Sequence, residues 1–334
     1  MKPFRLVDAR SAAHAVELLA ASGPAAQPIA AGGDLLDLLK EGVEGRLLPL
    51  PDILVNLATA RDLAGVSRVG STLRLGSMTT LADLAADADL QAAAPMMVEA
   101  IARIASPQLR NVTTVAGNLL QRPRCLYFRH PLIDCFKKGG DGCPAATSEA
   151  RIPRALFGAG PCRAVHPSDL ATVLVALDAQ LEVIGSTGPR TIRMESLYDG
   201  AERNAAGEAA LDFGEIVTAI LLRVGRPSSQ AFEKAMVRGA NEFAMASAAV
   251  AIDVASDVIR DCRVVLGGIA LRPVRCVDAE RLAVGRRLHE IEPASVADMA
   301  MPSARHLSDG AGVVTVAHAL VSRAVARVVG MRQP

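Results

Sequence analysis

The sequence predicts an α+β protein of more than one domain, and three observations carry that reading. Its 334 residues are 51% hydrophobic, more chain and more apolar material than one minimal core requires. Through the first two hundred residues, short strand and helix signals alternate. From about residue 212 strand signals dominate and read as an antiparallel sheet. Trp is absent, Phe numbers 7 and Tyr 2, so the core must be built from Ala, Val, Leu and Ile.

In chain order, residues 11–21 make an amphipathic helix, capped by Ser11 and stopped at Gly23-Pro24. Residues 27–31 are a short apolar strand, which Gly32-Gly33 turns directly into a helix over 34–40 with Asp34 at its N-cap. Residues 52–57 and 68–75 are strands, 80–88 and 92–104 helices, and 106–118 a polar stretch rich in turn formers. A helix opens at Ser168 and runs to Leu177, and 181–184 with 190–193 form a hairpin closed by Gly-Ser-Thr-Gly. Residues 215–224, 231–239 and 262–276 read as strands of the C-terminal sheet; the Ala-rich run 241–255 fits strand or helix. Helices around 278–284 and 314–329 close the chain, and the small, polar stretch 202–210 marks the domain boundary.

Charge excludes little but is informative. Lys and Arg number 36 against 35 Asp and Glu, a formal charge of +1, which offers no electrostatic footing for nucleic acid or an anionic membrane. The N-terminal stretch has no apolar h-region with a small-residue cleavage site, so no export signal is expected. No run of 18 apolar residues stands out, so membrane insertion is not expected.

Two segments have the makings of an anion cradle. The first comprises Ile29, Ala30, Ala31, Gly32, Gly33, Asp34, Leu35 and Leu36: strand, glycine pair, helix start. Glycines let backbone N–H groups approach a phosphate, and a helix N-terminus adds a favourable dipole. The second gathers Asn111, Thr113, Thr114 and Asn118 around Ala116 and Gly117, with Gln121 just beyond. Taken singly, the first is also an ordinary turn and the second an irregular surface loop whose side chains satisfy their own backbone. Neither is G-x-G-x-x-G, and no acidic residue stands where a dinucleotide-binding βαβ unit needs one for ribose.

Cysteines are concentrated next to the second segment, as Cys125-x9-Cys135-x7-Cys143-x18-Cys162. A chain with a large core has no need of disulfides, so the concentration favours a metal. No tight C-x2–4-C knuckle is present, and this spacing suits zinc and an iron–sulfur cube equally. Arg122, Arg124, Arg129, Lys137 and Lys138 flank the cysteines. They can offset thiolate charge, or simply solvate a loop or meet another subunit. Tyr127 and Phe128 pack the loop down; Cys262 and Cys276 are small residues of the C-terminal sheet; His166 is a satisfied loop histidine.

In this order the segments resemble the FAD-binding medium subunits of the xanthine dehydrogenase and molybdenum hydroxylase family. That family reads A-G-G-[TQ]-x-L-L, then about eighty residues on R-N-x-x-[ST]-[IV]-G-G-N, then a Ser-Asp pair; here these are residues 31–36, 110–118 and Ser168-Asp169. Residues 117–129 follow G-N-L-L-Q-R-x-R-C-x-Y-F-R, the string of periplasmic-type aldehyde oxidoreductases, position by position. Two departures stand out: the first motif lacks the Thr or Gln between Gly33 and Asp34, and Ala116 replaces a glycine in the second.

The resemblance implies a vanillyl-alcohol-oxidase/PCMH-type FAD-binding fold of two subdomains, residues 1–58 and 59–200, with a [4Fe-4S] loop at about 119–165. It also implies a C-terminal α+β domain over 211–334, of the CO dehydrogenase flavoprotein type. FAD would be held by the two motif segments and Asp169, whose other role is to cap its helix in competition with Ser168. Cys125, Cys135, Cys143 and Cys162 would bind the [4Fe-4S] cluster. A large molybdopterin subunit and a small [2Fe-2S] subunit would be partners. Electrons would pass from the [2Fe-2S] clusters through FAD to an external acceptor, with no substrate oxidation by this chain alone. The alternatives are the flavin subunit of a 4-hydroxybenzoyl-CoA reductase or another molybdenum hydroxylase, and a non-redox scaffold with zinc in the loop and no FAD. The compartment would be the periplasm, by co-export with a partner, or the cytoplasm.

Overall fold

The computed structural model describes residues 1–147, 154–158, 160–201, 203–301 and 311–330. Residues 148–153 and 159 of the cysteine loop, and Glu202 at the expected boundary, lie outside the described residues. Three sheets organise the chain. The first is parallel, β1 (Arg5–Asp8), β3 (Ile53–Asn56) and β2 (Ala26–Ile29), in the order β1-β3-β2. Helix α1 (Ala12–Ser22) lies on it, with Ser11 Oγ accepting the His14 N–H as its cap and Ala15, Val16 and Leu19 buried. Helix α2 (Leu35–Glu41) follows β2 across the Gly32-Gly33 turn.

The second sheet is antiparallel, in the order β4-β5-β8-β6-β7. Two expectations are corrected here. Residues 68–75, read as one strand, are a hairpin of β4 (Val66–Val69) and β5 (Thr72–Gly76), because Gly70 at φ +60 reverses the chain. The run 215–224, assigned to the C-terminal sheet, is β8 (Ile216–Arg223) at the centre of this one, between β5 and β6 (Gln180–Gly185). The hairpin of β6 with β7 (Gly188–Arg193) forms as expected.

Between β5 and β6 the helices are shorter than the periodicity suggested. Asp87 accepts the Leu90 N–H and Pro95 starts a new turn, so 80–104 divides into α3 (Leu81–Ala86), α4 (Ala88–Ala93) and α5 (Pro95–Ala102). The polar stretch 106–118 holds two one-turn helices, α6 (Pro107–Arg110) and α7 (Val115–Leu119). Within the cysteine loop lie α8 (Leu126–Arg129) and α9 (Pro144–Thr147). Helix α10 (Asp169–Ala176), buried along its whole length, packs against α5, the second sheet's core and the third sheet.

The third sheet, in the order β12-β11-β10-β9, is antiparallel: β9 (Ser229–Ala235), β10 (Ala246–Ala255), β11 (Val258–Gly267) and β12 (Val274–Arg275). The ambiguous Ala-rich run is therefore strand, buried over its first seven residues. Helices α11 (Val277–Ala283), α12 (Pro293–Ala300) and α13 (Ala311–Gly330) cover it, α12 being an element the sequence reading did not assign. Residues 312–330 of α13 are apolar enough by length and composition to cross a membrane, contrary to the expectation of no such span. The helix instead packs on β9, β10 and α12, burying Ala317, Leu320, Val321, Ala324 and Val328. Its Arg327 bridges Glu233 on β9 (2.9 Å) and Glu99 on α5 (2.6 Å), tying the third sheet to the second part of the chain.

Of the stretch 202–210, read as a boundary from its composition, the described residues 203–210 meet the cysteine loop. Lys137, buried, donates to the carbonyls of Ala201, Asn204 and Gly207, while Glu208 pairs with Arg122 at 2.6 Å. The chain then returns through β8 before crossing to the third sheet.

Candidate functional site

A cleft of about 800 Å³ opens among the glycine turn, the segment 112–122, the start of α10, the first residues of β8, and Lys234 with the loop at 241–243. That volume falls in the range of pockets that enclose most of a cofactor-sized ligand. Ile29, Ala30, Ala31, Gly32, Gly33, Asp34, Leu35, Thr113, Thr114, Gly117, Asn118, Gln121 and Asp169 line it. The two motif segments, about eighty residues apart in sequence, thus share one wall. Leu36 and Asn111 do not line it. Leu36 lies beneath the turn, where a Cβ on Gly32 would come within 2.7 Å of its side chain, and Asn111 is exposed at the C-terminus of α6.

Gly32 adopts φ +76, a left-handed conformation that a side chain disfavours. At Gly33 a Cβ would meet nothing within 4 Å, because that space belongs to the cleft. The two glycines therefore make separable predictions. Gly32→Ala should cost about 1–2 kcal/mol of stability in chemical denaturation. Gly33→Ala should leave the denaturation midpoint in place but weaken flavin binding in a fluorescence titration, since its methyl group would project into the cradle.

The second segment is held by its own polar groups. Thr114 Oγ1 accepts the Gly117 N–H (3.1 Å), Gln121 Nε2 donates to the Asn118 carbonyl (2.8 Å), and Ser168 Oγ donates to Asn118 Oδ1 (2.6 Å). Ser168 also accepts the Ala171 N–H, so it, and not Asp169, caps α10. Ser77, buried at the cleft wall, has an Oγ with no partner among the described residues. Buried hydroxyls are ordinarily bonded, so this one marks a wall built to meet a ligand's polar groups. Together with the open cradle at Gly33, it fits the residues to a polar cofactor such as FAD.

Asp169 faces the cleft in a buried ion pair with Lys234, Oδ2 to Nζ 2.8 Å. Lys234 further donates to the carbonyls of Arg103 (2.9 Å) and Glu242 (2.8 Å). Its three donors are all used, which holds the ammonium in place against the Asp169 carboxylate. Burial pushes the Asp169 carboxyl up; Lys234 and, more weakly, Arg103 oppose that shift.

The cysteine loop borders the same cleft through Arg122 and Arg124. Cys135 and Cys162 are buried, Cys125 and Cys143 partly so, and all four are free thiols. Cys143 and Cys162 share a hydrogen bond. That bond, with backbone N–H groups of Arg163, Ala145 and Ala146, draws the Cys143 thiol below its ordinary value. Burial raises Cys125 and Cys135, and each also senses Cys143. Backbone N–H groups of Phe128 and Tyr127 point at Cys125, and that of Lys137 at Cys135. Among the described residues, no three His, Cys, Asp or Glu side chains form a metal-holding group. Phe128 packs the loop into a small cluster with Leu38, Val43 and Cys135.

Cys262 and Cys276 stay in the C-terminal core, their thiols pushed up to about 12 by burial. His166 is buried and neutral, pushed down to about 3 by desolvation, with Nδ1 accepting the Ser168 N–H and its ring edge-on to Tyr198. The sequence reading missed Lys234, Ser77, Arg124 and Phe243 as cleft residues. Only Lys234 left a signal: with Glu233, it stands between the apolar residues Phe232 and Ala235 of β9.

Residues 2–222 match the family described as FAD binding domain in molybdopterin dehydrogenase, and residues 230–329 match the CO dehydrogenase flavoprotein C-terminal domain. The chain is 34% identical over 284 residues to the aldehyde oxidoreductase FAD-binding subunit PaoB of Escherichia coli K12, covering 84% of this chain and 86% of that one. It is 26% identical over 304 residues to the carbon monoxide dehydrogenase medium chain of Afipia carboxidovorans, covering 91% and 87%. Among solved structures, the cyanide-inactivated Cu,Mo-CO dehydrogenase superposes with a TM-score of 0.74 at 25% identity, over 99% of both chains. Quinoline 2-oxidoreductase from Pseudomonas putida 86 gives 0.75 at 20% identity, also over 99% of both, which supports the fold.

Proposed function

The chain belongs to the FAD-binding medium subunits of the molybdenum hydroxylase family, and from that premise we propose that it is the electron-transfer subunit of an aldehyde-oxidising complex. The observation that carries this reading is the single cleft onto which both motif segments converge, in a chain that follows the family along nearly its whole length. The 34% identity to an aldehyde oxidoreductase FAD-binding subunit favours aldehyde as substrate class over the hydroxylase alternatives. FAD, when bound, would supply a carrier that exchanges electrons singly or in pairs. Gly32, Gly33, Thr113, Thr114, Gly117 and Asn118 would hold it, with the neutral Asp169–Lys234 pair bordering it.

In this reading the four loop cysteines hold a [4Fe-4S] cluster. Their support is the donor set: four thiols that sense one another, one already drawn toward the thiolate, with backbone N–H groups aimed at the sulfurs. Buried Lys137, which favours the Cys162 thiolate and is itself paired with Glu208 at 3.3 Å, brings one cation close to the sulfurs. A large molybdopterin subunit, a small [2Fe-2S] subunit and an external acceptor complete the path, and the compartment is that of the assembled complex.

Aldehyde oxidation measured with the purified chain, and again after assembly with the large and small subunits, tests this assignment. Turnover should appear only in the assembled complex and should require bound FAD. Robust turnover by the isolated chain would overturn it.

A further inference from the structure

Asp34 occupies the N-cap position of α2, directly after the glycine pair, yet its side chain caps nothing. Its carboxylate turns to the cysteine loop instead. Oδ2 accepts the backbone N–H of Arg122 at 2.7 Å, and Oδ1 takes the guanidinium groups of Arg129 and, at 3.0 Å, Arg124. All three donors lie in residues 122–129, the stretch that contains Cys125 and the one-turn helix it begins. Arg129 also holds the Pro123 carbonyl, and Arg124 reaches Gln121 Oε1 (3.1 Å), whose amide in turn holds the Asn118 carbonyl. One carboxylate therefore joins the first cradle segment, the cysteine loop and, through Arg124, the second cradle segment.

The charge arithmetic gives this junction a consequence. A carboxylate beside an anion cradle repels a diphosphate, and repulsion in a partly desolvated site is stronger than in water. With Arg124 and Arg129 seated, Asp34 is more than neutralised; with the loop displaced, its charge faces the cleft that it lines. Cys125 lies within 122–129, so a metal bound there would add one anchor to those that the Arg122–Glu208 pair and buried Phe128 already supply.

We propose that Asp34 is a positioning residue that links the two cofactor sites: the seated cysteine loop neutralises it and raises flavin affinity, and the displaced loop exposes it and lowers that affinity. The cluster side of this linkage rests on the reading of the loop given above; the Asp34–Arg129 contact does not. By reciprocity, bound flavin favours the seated loop by the same factor.

The test is a double-mutant cycle on FAD affinity in the full chain, followed by flavin fluorescence, with iron and acid-labile sulfide assayed in each sample. Arg129→Met should weaken FAD binding at least about fivefold in the otherwise unchanged chain. In the Asp34→Asn background, where no charge is left to expose, the same change should weaken it less than about twofold. Arg129→Lys should retain most of the affinity. Removing iron by chelation should reproduce the Arg129→Met loss in the unaltered chain and have little effect in Asp34→Asn. Equal losses in both backgrounds would overturn the linkage and leave Asp34 a purely structural residue. A chain that takes up no iron but still shows the coupling in the cycle would overturn the cluster reading alone.

Discussion

Lys234→Met is expected to lower the stability of the chain by about 3–5 kcal/mol, the cost of leaving a buried carboxylate without its partner. The ammonium sits within 2.8 Å of Asp169, and its two other bonds hold the Arg103 and Glu242 carbonyls, so one substitution strips three groups at once. Desolvation already pushes the Asp169 carboxyl up against the pull of Lys234; without that pull it should rise further and take up a proton. Pairing the change with Asp169→Leu should recover a large part of the loss, because an uncharged pair has no ion to strand. Chemical denaturation of the two single variants and the double variant measures this. Equal loss in the double variant would mean that the carbonyl contacts, not the charge pair, dominate.

Cys135→Ser is expected to remove iron from the chain and release the loop while the three sheets stay folded. The middle of the loop has little apolar packing: Cys135 belongs to a small cluster with Leu38, Val43 and Phe128, whereas Leu156, Cys162 and Ala164, later in the loop, belong to the main cores. Its other anchors are polar: Lys137 on the carbonyls of Ala201, Asn204 and Gly207, the Arg122–Glu208 pair, and Asp34 with Arg124 and Arg129. Segments held mainly by a metal and a few polar contacts open at low free-energy cost. Limited proteolysis should therefore cut within residues 119–165 of the variant and spare the parent. At saturating FAD, acceptor reduction per bound flavin in the assembled complex should be unchanged. A fall in that rate with the loop still protected would put the cluster on the electron path.

Much of the fold was legible because the local signals are strong. Ser11 and Gly23 delimit α1, the Gly-Ser-Thr-Gly turn closes β6 on β7, and the cap at Ser168 starts α10. What escaped is set by partners far along the chain. The pattern of β8 gives no hint that it belongs between β5 and β6, since an apolar strand buried on both faces looks alike in any sheet. The stretch 202–210 looked like a boundary because small polar residues compose it, yet the carbonyls of Asn204 and Gly207 within it help to hold Lys137. At the cleft, the two motif segments were legible from glycine and hydroxyl placement. The Asp169–Lys234 pair was not legible, because the polar residues of β9 give no sign of which of them is buried or with what partner. Asp34 fitted a cap by position; only the fold brings the arginines of residues 122–129 to its carboxylate.

The proposal places an iron–sulfur cluster beside the flavin site of one chain. Its most direct test is the visible spectrum of the purified chain, with FAD, iron and acid-labile sulfide quantified per chain. The predicted result is two flavin bands over a broad iron–sulfur shoulder that bleaches on reduction, with about one FAD and about four irons per chain. A colourless chain containing zinc and no flavin would contradict the account and leave a scaffold in its place.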